Sequence, residues 1–238
     1  MASKEIIKNN SKYNISYEIV NNNQKECIVF LHGWGSNKEI MRNSFAKYLD
    51  SYKLLFVDLP GFGNSSIVSA LDTKEYAQII NLFLDALHVE KNIIFGHSFG
   101  GKVALLLNPQ ILVLLSSAGI LNKKSFKTRF KIRFFKTLKP FFGKSFYKFF
   151  ATKDVDGLDK TMYETLKNVV NEDFSQNFKN FKKKAIVYWG KDDKAVPLSN
   201  AYDIASFIEN SKLRIYEGDH FFFLNNAEKI CTDFKEDI

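Results

Sequence analysis

The chain has 238 residues, of which 45% are hydrophobic and 25% charged, with only 12 Gly and 4 Pro. This composition excludes a disordered or fibrous protein, and the length favours one large domain or a domain that carries an insertion. Two cysteines, Cys27 and Cys231, are too few for a disulfide framework. The N-terminal residues lack the apolar core of a signal peptide, and the longest apolar stretch is interrupted at residues 108–110. We therefore expect a soluble, cytoplasmic protein.

The net charge is +8, and the positive excess lies in one internal segment. Residues 120–184 hold 17 Lys and Arg against 6 Asp and Glu, and residues 121–150 hold ten basic side chains and no acidic one. Such asymmetry is typical of a domain boundary or of a surface for an acidic partner. The alternative is a lysine-rich face that is simply solvated.

Short apolar runs alternate with helical patterns along most of the chain. Residues 13–20 predict an antiparallel strand at the sheet edge, and buried, mostly parallel strands are predicted at 28–32, 53–58, 92–96, 111–116, 185–190 and 213–218. Helices are predicted at 37–50, 73–87, 102–107 and 198–208, and from 225 to the C-terminus. The alternation predicts an α/β fold whose mostly parallel central sheet has helices on both faces.

Residues 120–184 depart from this alternation. They contain no convincing strand, and Phe126, Phe130 and Phe134 recur at a spacing of four, which predicts a helix with one apolar and one cationic face. We therefore expect a helical, basic, Phe-rich cap at 120–184, inserted into a core formed by residues 1–119 and 185–238.

The segment GHSFGG at residues 96–101 lies between a predicted strand and a predicted helix. In that setting the G-x-S-x-G pattern is typical of a nucleophile elbow, in which small residues let the backbones approach each other. The start of the following helix offers backbone N–H groups, that of Phe99 first, to a developing oxyanion. Ser98 is therefore the predicted nucleophile. The alternative is an ordinary glycine-rich turn with a serine of no function.

A serine nucleophile needs a histidine base and a carboxylate that orients the base. His220 is the histidine that lies late in the chain, just after a predicted strand, whereas His32 and His97 belong to turn motifs and His88 follows a helix. His220 is the predicted base.

Two neighbouring carboxylates compete for the orienting role. Asp192 and Asp193 both lie in the turn at 190–197, which follows a predicted strand. A turn that begins at Gly190 and closes at Pro197 favours Asp193, with Asp192 as the alternative.

Two further turns follow predicted strands. In LHGWG, at residues 31–35, the backbone N–H of Trp34 is predicted to complete an oxyanion hole with that of Phe99. The alternative is a tight turn with a packed indole. In DLPGFGNS, at residues 58–65, we expect a structural turn in which Asp58 accepts hydrogen bonds from local backbone amides.

The motifs H-G-W-G, D-x-P-G-x-G-x-S, G-H-S-x-G-G, W-G-x-x-D-x-x-x-P and G-D-H occur in that order over residues 28–225 and together resemble the α/β-hydrolase superfamily. The resemblance implies an α/β-hydrolase fold and a serine hydrolase that cleaves a carboxylic ester or thioester through an acyl-enzyme. It also implies a triad of Ser98, His220 and Asp193. Dehalogenases and epoxide hydrolases of the superfamily use an aspartate nucleophile, so Ser98 argues against both.

Within the superfamily, the motifs are most similar to those of pimeloyl-[acyl-carrier protein] methyl ester esterases. These enzymes recognise an acidic carrier protein through basic cap residues, although they commonly carry Trp where this chain has His97. The resemblance thus implies a small or carrier-linked acyl ester as substrate and an acidic protein partner at the basic cap. A meta-cleavage-type C–C bond hydrolase with the same triad is an alternative.

No metal-ligand cluster or phosphate-binding glycine loop stands out, so we expect neither a metal nor an organic cofactor. The acyl pocket is predicted to be lined by Phe126, Phe130, Phe134 and Phe221. A different class of function is a non-catalytic protein that binds a membrane surface or nucleic acid through the basic cap.

Overall fold

The computed structural model describes residues 2–121 and 158–238. One sheet of eight strands runs through this part of the chain, in the order β1-β2-β4-β3-β5-β6-β7-β8. The strands β3 to β8 pair in parallel, whereas β1 with β2 and β2 with β4 are antiparallel. Their bounds are β1 Ala2–Lys8, β2 Ser11–Val20, β3 Cys27–Leu31, β4 Lys53–Val57, β5 Ile93–His97, β6 Ile111–Leu115, β7 Lys184–Gly190 and β8 Ser211–Tyr216.

Seven helices lie in the same residues, and the α/β fold predicted from the sequence is confirmed. The helices are α1 Lys38–Phe45, α2 Thr73–Ala86, α3 Phe99–Leu107, α4 Leu158–Val170, α5 Ser175–Asn180, α6 Leu198–Phe207 and α7 Phe223–Asp237. Helix α1 packs with α7, and α2 packs with α3. None of the helices in these two ranges is long and apolar enough to cross a bilayer.

The central strands form because their apolar runs are buried on both faces of the sheet. Every residue of β3 and β5 is buried, as is usual for parallel strands covered by helices. The ring of Phe30 on β3 stacks on Phe56 of β4 and Phe45 of α1, with centroid separations of 4.7 and 5.4 Å, and lies 4.9 Å from Phe95 of β5. This cluster fixes the strands whose carboxyl ends carry the candidate site.

Two predictions about the elements are wrong in detail. The strand at residues 11–20 is not at the sheet edge, because β1 pairs with its outer side. Helix α1 ends at Phe45 rather than at residue 50, and its start is capped by Asn37, whose side chain accepts a hydrogen bond from Glu39 N–H.

The cap predicted at 120–184 falls largely outside the described residues, as do Phe126, Phe130 and Phe134. Helices α4 and α5 belong to its described part. Strand β6, which precedes this segment, pairs directly with β7, which follows it. The division into core and inserted cap stays a prediction.

Candidate active site

Ser98 lies in the sharp turn between β5 and α3. Its backbone has φ 51° and ψ −113°, a positive-φ conformation that non-glycine residues rarely adopt and that costs roughly 1–3 kcal/mol. The turn is held by its neighbours: Ser98 N–H donates to Leu115 O at 3.0 Å, and Ser98 O accepts from Gly101 N–H at 3.1 Å and Ala118 N–H at 3.0 Å. The surrounding hydrogen bonds therefore hold the strained backbone of Ser98 in place.

The glycine spacing around Ser98 follows from close backbone contact. A Cβ atom added at Gly96 would lie 2.6 Å from both Gly100 O and the Cα of Gly101. No real side chain fits at that distance, so the turn requires glycine there. The spacing predicted from the sequence therefore has a steric cause in the fold.

His220 and Asp193 meet at the carboxyl ends of β8 and β7. His220 Nδ1 lies 2.7 Å from Asp193 Oδ2, and both side chains are buried. The other oxygen of Asp193 accepts hydrogen bonds from the N–H groups of Ala195 and Val196, each at 2.8 Å. Asp192, the alternative carboxylate, is exposed to solvent. The turn at 190–197 therefore directs Asp193 toward His220.

The ring of His220 lies beside the turn that carries Ser98. His97, the residue before Ser98, has its ring centroid 4.7 Å from that of His220, and its Nε2 lies 3.0 Å from the carbonyl oxygen of His220. Ser98, Asp193 and His220 follow the parallel strands β5, β7 and β8 in turn. They therefore all lie at the carboxyl end of the sheet.

Trp34 and Phe99 flank Ser98 in the wall of a pocket. Trp34 follows β3, and its indole packs edge-on against the rings of Phe62 and Phe99 at 4.9 and 5.5 Å. Phe99 is the first residue of α3, where backbone N–H groups have no acceptor within the helix. The backbone amides of Trp34 and Phe99 belong to two turns that meet at Ser98.

A buried ion pair lies shortly after the turn that carries Trp34, at the start of α1. Lys38 Nζ donates to Asp58 Oδ2 at 2.6 Å, and Lys38 N–H donates to Asp58 Oδ1 at 2.7 Å. Asp58 also accepts from Asn64 N–H at 3.0 Å, so its predicted structural role is confirmed. Sequence reasoning missed Lys38, because lysine is almost always exposed and nothing in its neighbours indicates burial.

His32 supports the same turn as a neutral ring. Its Nδ1 lies 2.8 Å from Gly33 O, and its Nε2 accepts from Leu59 N–H at 3.0 Å. Burial lowers the pKa of His32 to about 4, outweighing the hydrogen bond to Gly33 O and the charge of Asp58, which both raise it.

The pocket beside Ser98 is mostly apolar. Phe221, which was predicted to line it, is buried against the rings of His97 and His220 and is not among the described residues of the wall. Its role in binding substrate stays a prediction. The apolar wall includes Trp34, Phe99, Ile120, Leu166, Val170 and Val196.

An ion pair between the buried Lys102 and the partly exposed Glu172 forms part of the same wall. Lys102 Nζ lies 2.7 Å from Glu172 Oε2 and 2.7 Å from Val169 O, near the end of α4. Glu172 also accepts from Thr73 N–H at 3.2 Å and from the Thr73 hydroxyl, at the start of α2. Burial lowers the pKa of Lys102, and Glu172 partly opposes this change. The ion pair thus joins α4 to α2 and α3.

Sequence reasoning also missed Lys102, although a signal was available. Lys102 interrupts the apolar run of α3, so a buried partner for its charge was to be expected. Among residues 2–121 and 158–238, no group of three or more His, Cys, Asp or Glu side chains could hold a metal ion.

Comparison with known proteins agrees with this architecture. The protein-family model of the alpha/beta hydrolase fold matches residues 26–154, more than half of the chain. The uncharacterized hydrolase YugF of Bacillus subtilis is 25% identical over 84% of this chain and 85% of its own. A pimeloyl-[acyl-carrier protein] methyl ester esterase of Wigglesworthia glossinidia brevipalpis is 26% identical over 87% of this chain and 92% of its own.

Among solved structures, an esterase from Exiguobacterium antarcticum has a similar fold. It superposes with a TM-score of 0.73, at 22% identity, over 94% of this chain and 95% of its own. Because the family match covers more than half of the sequence, the chain belongs to the alpha/beta hydrolase fold family.

Proposed function

We propose that the protein is a serine hydrolase that cleaves carboxylic esters through an acyl-enzyme on Ser98. The observation that carries the proposal is the buried pair of His220 Nδ1 and Asp193 Oδ2, 2.7 Å apart, beside the strained turn of Ser98. A carboxylate at Nδ1 keeps the proton on that nitrogen and leaves Nε2 free to act as a base. Family membership and relatives named as hydrolases and esterases support the same reaction.

The proposed reaction runs in two halves. Ser98 Oγ attacks the ester carbonyl carbon while His220 Nε2 takes the hydroxyl proton, and the imidazolium then gives that proton to the departing alcohol. Water attacks the acyl-enzyme in the second half, again with His220 as base. The carboxylic acid leaves and the serine hydroxyl is restored. Asp193 stays ionised throughout and stabilises the charged imidazole.

The backbone N–H groups of Trp34 and Phe99 are proposed to hold the oxyanion of each tetrahedral intermediate. Support comes from their place on the two turns that meet at Ser98, one of them the start of α3. A single donor of this kind typically contributes about 3 kcal/mol to transition-state stabilisation. The hydrogen bond from Leu59 N–H to His32 Nε2 ties the first turn to the segment after β4, which supports a donor that is held in place before the reaction.

A carrier-linked or otherwise anionic acyl ester is the proposed substrate, with an acidic carrier protein as partner at the basic segment. The apolar wall beside Ser98 suits an alkyl chain. The charge of residues 120–184 and the likeness to a pimeloyl-[acyl-carrier protein] methyl ester esterase support the carrier.

The reaction is tested with p-nitrophenyl esters from acetyl to dodecanoyl, together with a carrier-linked methyl ester. Ser98→Ala should lower kcat by at least about 10³-fold, because loss of a nucleophile costs up to about 10⁶ in a serine protease. Ser44→Ala is the matched control, since Ser44 is buried on α1 and donates only to Ile40 O. Full activity in a folded Ser98→Ala protein would overturn the proposal.

A further inference from the structure

His97 lies where three distant segments of the chain meet. It ends β5, directly before Ser98, and its Nε2 is 3.0 Å from the carbonyl oxygen of His220. Gly33 lies on the other side of the ring, so near that a Cβ atom added to it would be only 2.8 Å from His97 Nδ1. One buried ring therefore touches both the loop that carries His220 and the turn that carries Trp34.

The hydrogen bonds of His97 define where its proton lies. A carbonyl oxygen only accepts, so the contact with His220 O places the proton on His97 Nε2. Burial, and then the charge of the nearby His220 ring, lower the pKa of His97 well below its ordinary range. The ring is therefore neutral, and its Nδ1 is a bare acceptor without a hydrogen-bond partner in the described part of the chain.

The surroundings of His97 do not by themselves require a polar ring. Its neighbours include Phe221 and Phe223, with centroids at 5.1 and 4.9 Å, and a phenyl ring would fill the same space. Burying an imidazole with one unsatisfied nitrogen costs free energy that a phenyl ring would avoid. The hydrogen bond from Nε2–H is the feature of this site that a hydrophobic residue cannot supply.

We propose that His97 is a positioning residue whose Nε2–H holds the backbone carbonyl of His220 and thereby sets the base relative to Ser98. The inference rests on the proposed function of Ser98 and His220. It does not make His97 a base, because one of its nitrogens is occupied by the carbonyl and the other faces Gly33. Its effect is on the geometry of proton transfer and not on substrate binding.

The test compares two substitutions that differ in hydrogen bonding. His97→Phe keeps a planar ring but removes the donor, whereas His97→Gln places an amide N–H at a similar reach. We expect His97→Phe to lower kcat by about 10–100-fold with KM within twofold, since a misplacement of about 1 Å can cost 10²-fold. His97→Gln should keep kcat within about threefold of wild type.

Equal losses in the two variants, or no loss in His97→Phe, would overturn the inference, because packing alone would then explain the residue. Ser98→Ala is measured alongside. If hydrolysis does not depend on Ser98, the proposed function fails, whereas a Ser98-dependent enzyme that is insensitive to His97→Phe contradicts only the role of His97. NMR of the wild-type histidine nitrogens needs no variant. A neutral Nε2–H tautomer of His97 at pH 7 is expected, and an Nδ1–H tautomer would refute it.

Discussion

At the scale of single residues, two adjacent carboxylates have opposite environments. Asp193 is buried and uses both oxygens, one toward His220 and one toward two backbone N–H groups. Asp192 is exposed, and its backbone N–H donates to Gly218 O at 2.9 Å. The pair therefore offers a test in which charge, size and location along the chain are closely matched.

Asp193→Asn should lower kcat by several orders of magnitude, because loss of the orienting carboxylate costs about 10⁴ in a serine protease. Asp192→Asn should lower kcat by less than about tenfold, since an exposed carboxylate contributes little. Steady-state kinetics on one p-nitrophenyl ester measures both. The reverse order of effects would mean that Asp192 orients His220 in solution.

The neutral state of His32 has a consequence for stability. Its Nε2 accepts from Leu59 N–H, and a proton on that nitrogen would destroy the hydrogen bond. The pKa of His32 is about 4 in the folded protein and about 6.5 when exposed, so below pH 6.5 the unfolded chain takes up a proton that the folded chain does not. This contribution to stability is complete above pH 6.5 and is lost as the pH falls toward 4.

His32→Gln should flatten the pH dependence of stability, because an amide can replace both hydrogen bonds and does not titrate in this range. Between pH 7.5 and 4.5 the free energy of unfolding of the wild type should fall by about 2–3 kcal/mol more than that of the variant, at about 1.4 kcal/mol per pKa unit. Urea unfolding at each pH measures the difference. His88→Gln, at an exposed residue, is the control. Parallel curves for wild type and His32→Gln would contradict the account.

The residues proposed for chemistry could be predicted because each follows an apolar strand in a short motif. Ser98, Asp193 and His220 all lie at carboxyl ends of parallel strands, where the topology brings them together. The contact of His97 with residues 33 and 220 joins segments far apart in sequence, and no local pattern encodes it.

At the scale of elements, the ion pair of the buried Lys102 with the partly exposed Glu172 connects α3, α4 and the start of α2. Removing Glu172 would leave the buried ammonium group of Lys102 without its charged partner, whereas an exposed pair gains little from its contact. The described part of the predicted cap is therefore attached to the core by polar contacts as well as by apolar packing.

Lys102→Met should lower the free energy of unfolding by about 2 kcal/mol, because hydrogen bonds to charged groups contribute about 1.5–3 kcal/mol. Lys167→Met is the matched control on α4, since Lys167 makes an exposed ion pair with Glu164, and it should cost less than about 1 kcal/mol. Urea unfolding measures both. Equal effects would show that the pair of Lys102 and Glu172 contributes no more to stability than an exposed ion pair.

The strands that were predicted are those with continuous apolar runs, and β1 was missed for a physical reason. Its sequence, ASKEIIK, has one buried residue, Ile6, and is otherwise charged or exposed. It becomes a strand by pairing with β2, and an edge strand of this kind leaves little hydrophobic pattern. Helix α1 is shorter than predicted. The apolar spacing continues through residues 46–50, but these residues form mostly turns.

At the scale of the whole molecule, the uneven charge is the feature most open to test. Residues 120–184 hold 17 basic and 6 acidic side chains, and most of them lie outside the described residues. Exposed charges act over about 10 Å at 0.1 M salt, so an effect on association should weaken as salt rises.

Changing Lys124, Lys127, Lys131 and Arg133 to Gln should leave kcat/KM for p-nitrophenyl acetate nearly unchanged. For a carrier-linked methyl ester, kcat/KM should fall at least about tenfold, because steering of an anionic partner is lost. Raising salt on the wild type should reproduce the effect. An equal change for neutral and anionic substrates would make the segment a solvated face without a role in recognition.

Whether Ser98 forms the covalent intermediate can be measured by mass spectrometry after reaction with a fluorophosphonate, which labels an activated serine. We expect one adduct per chain, on the peptide that contains Ser98, and a much slower reaction in His220→Ala. An adduct on another residue, or continued hydrolysis by fully labelled protein, would contradict it.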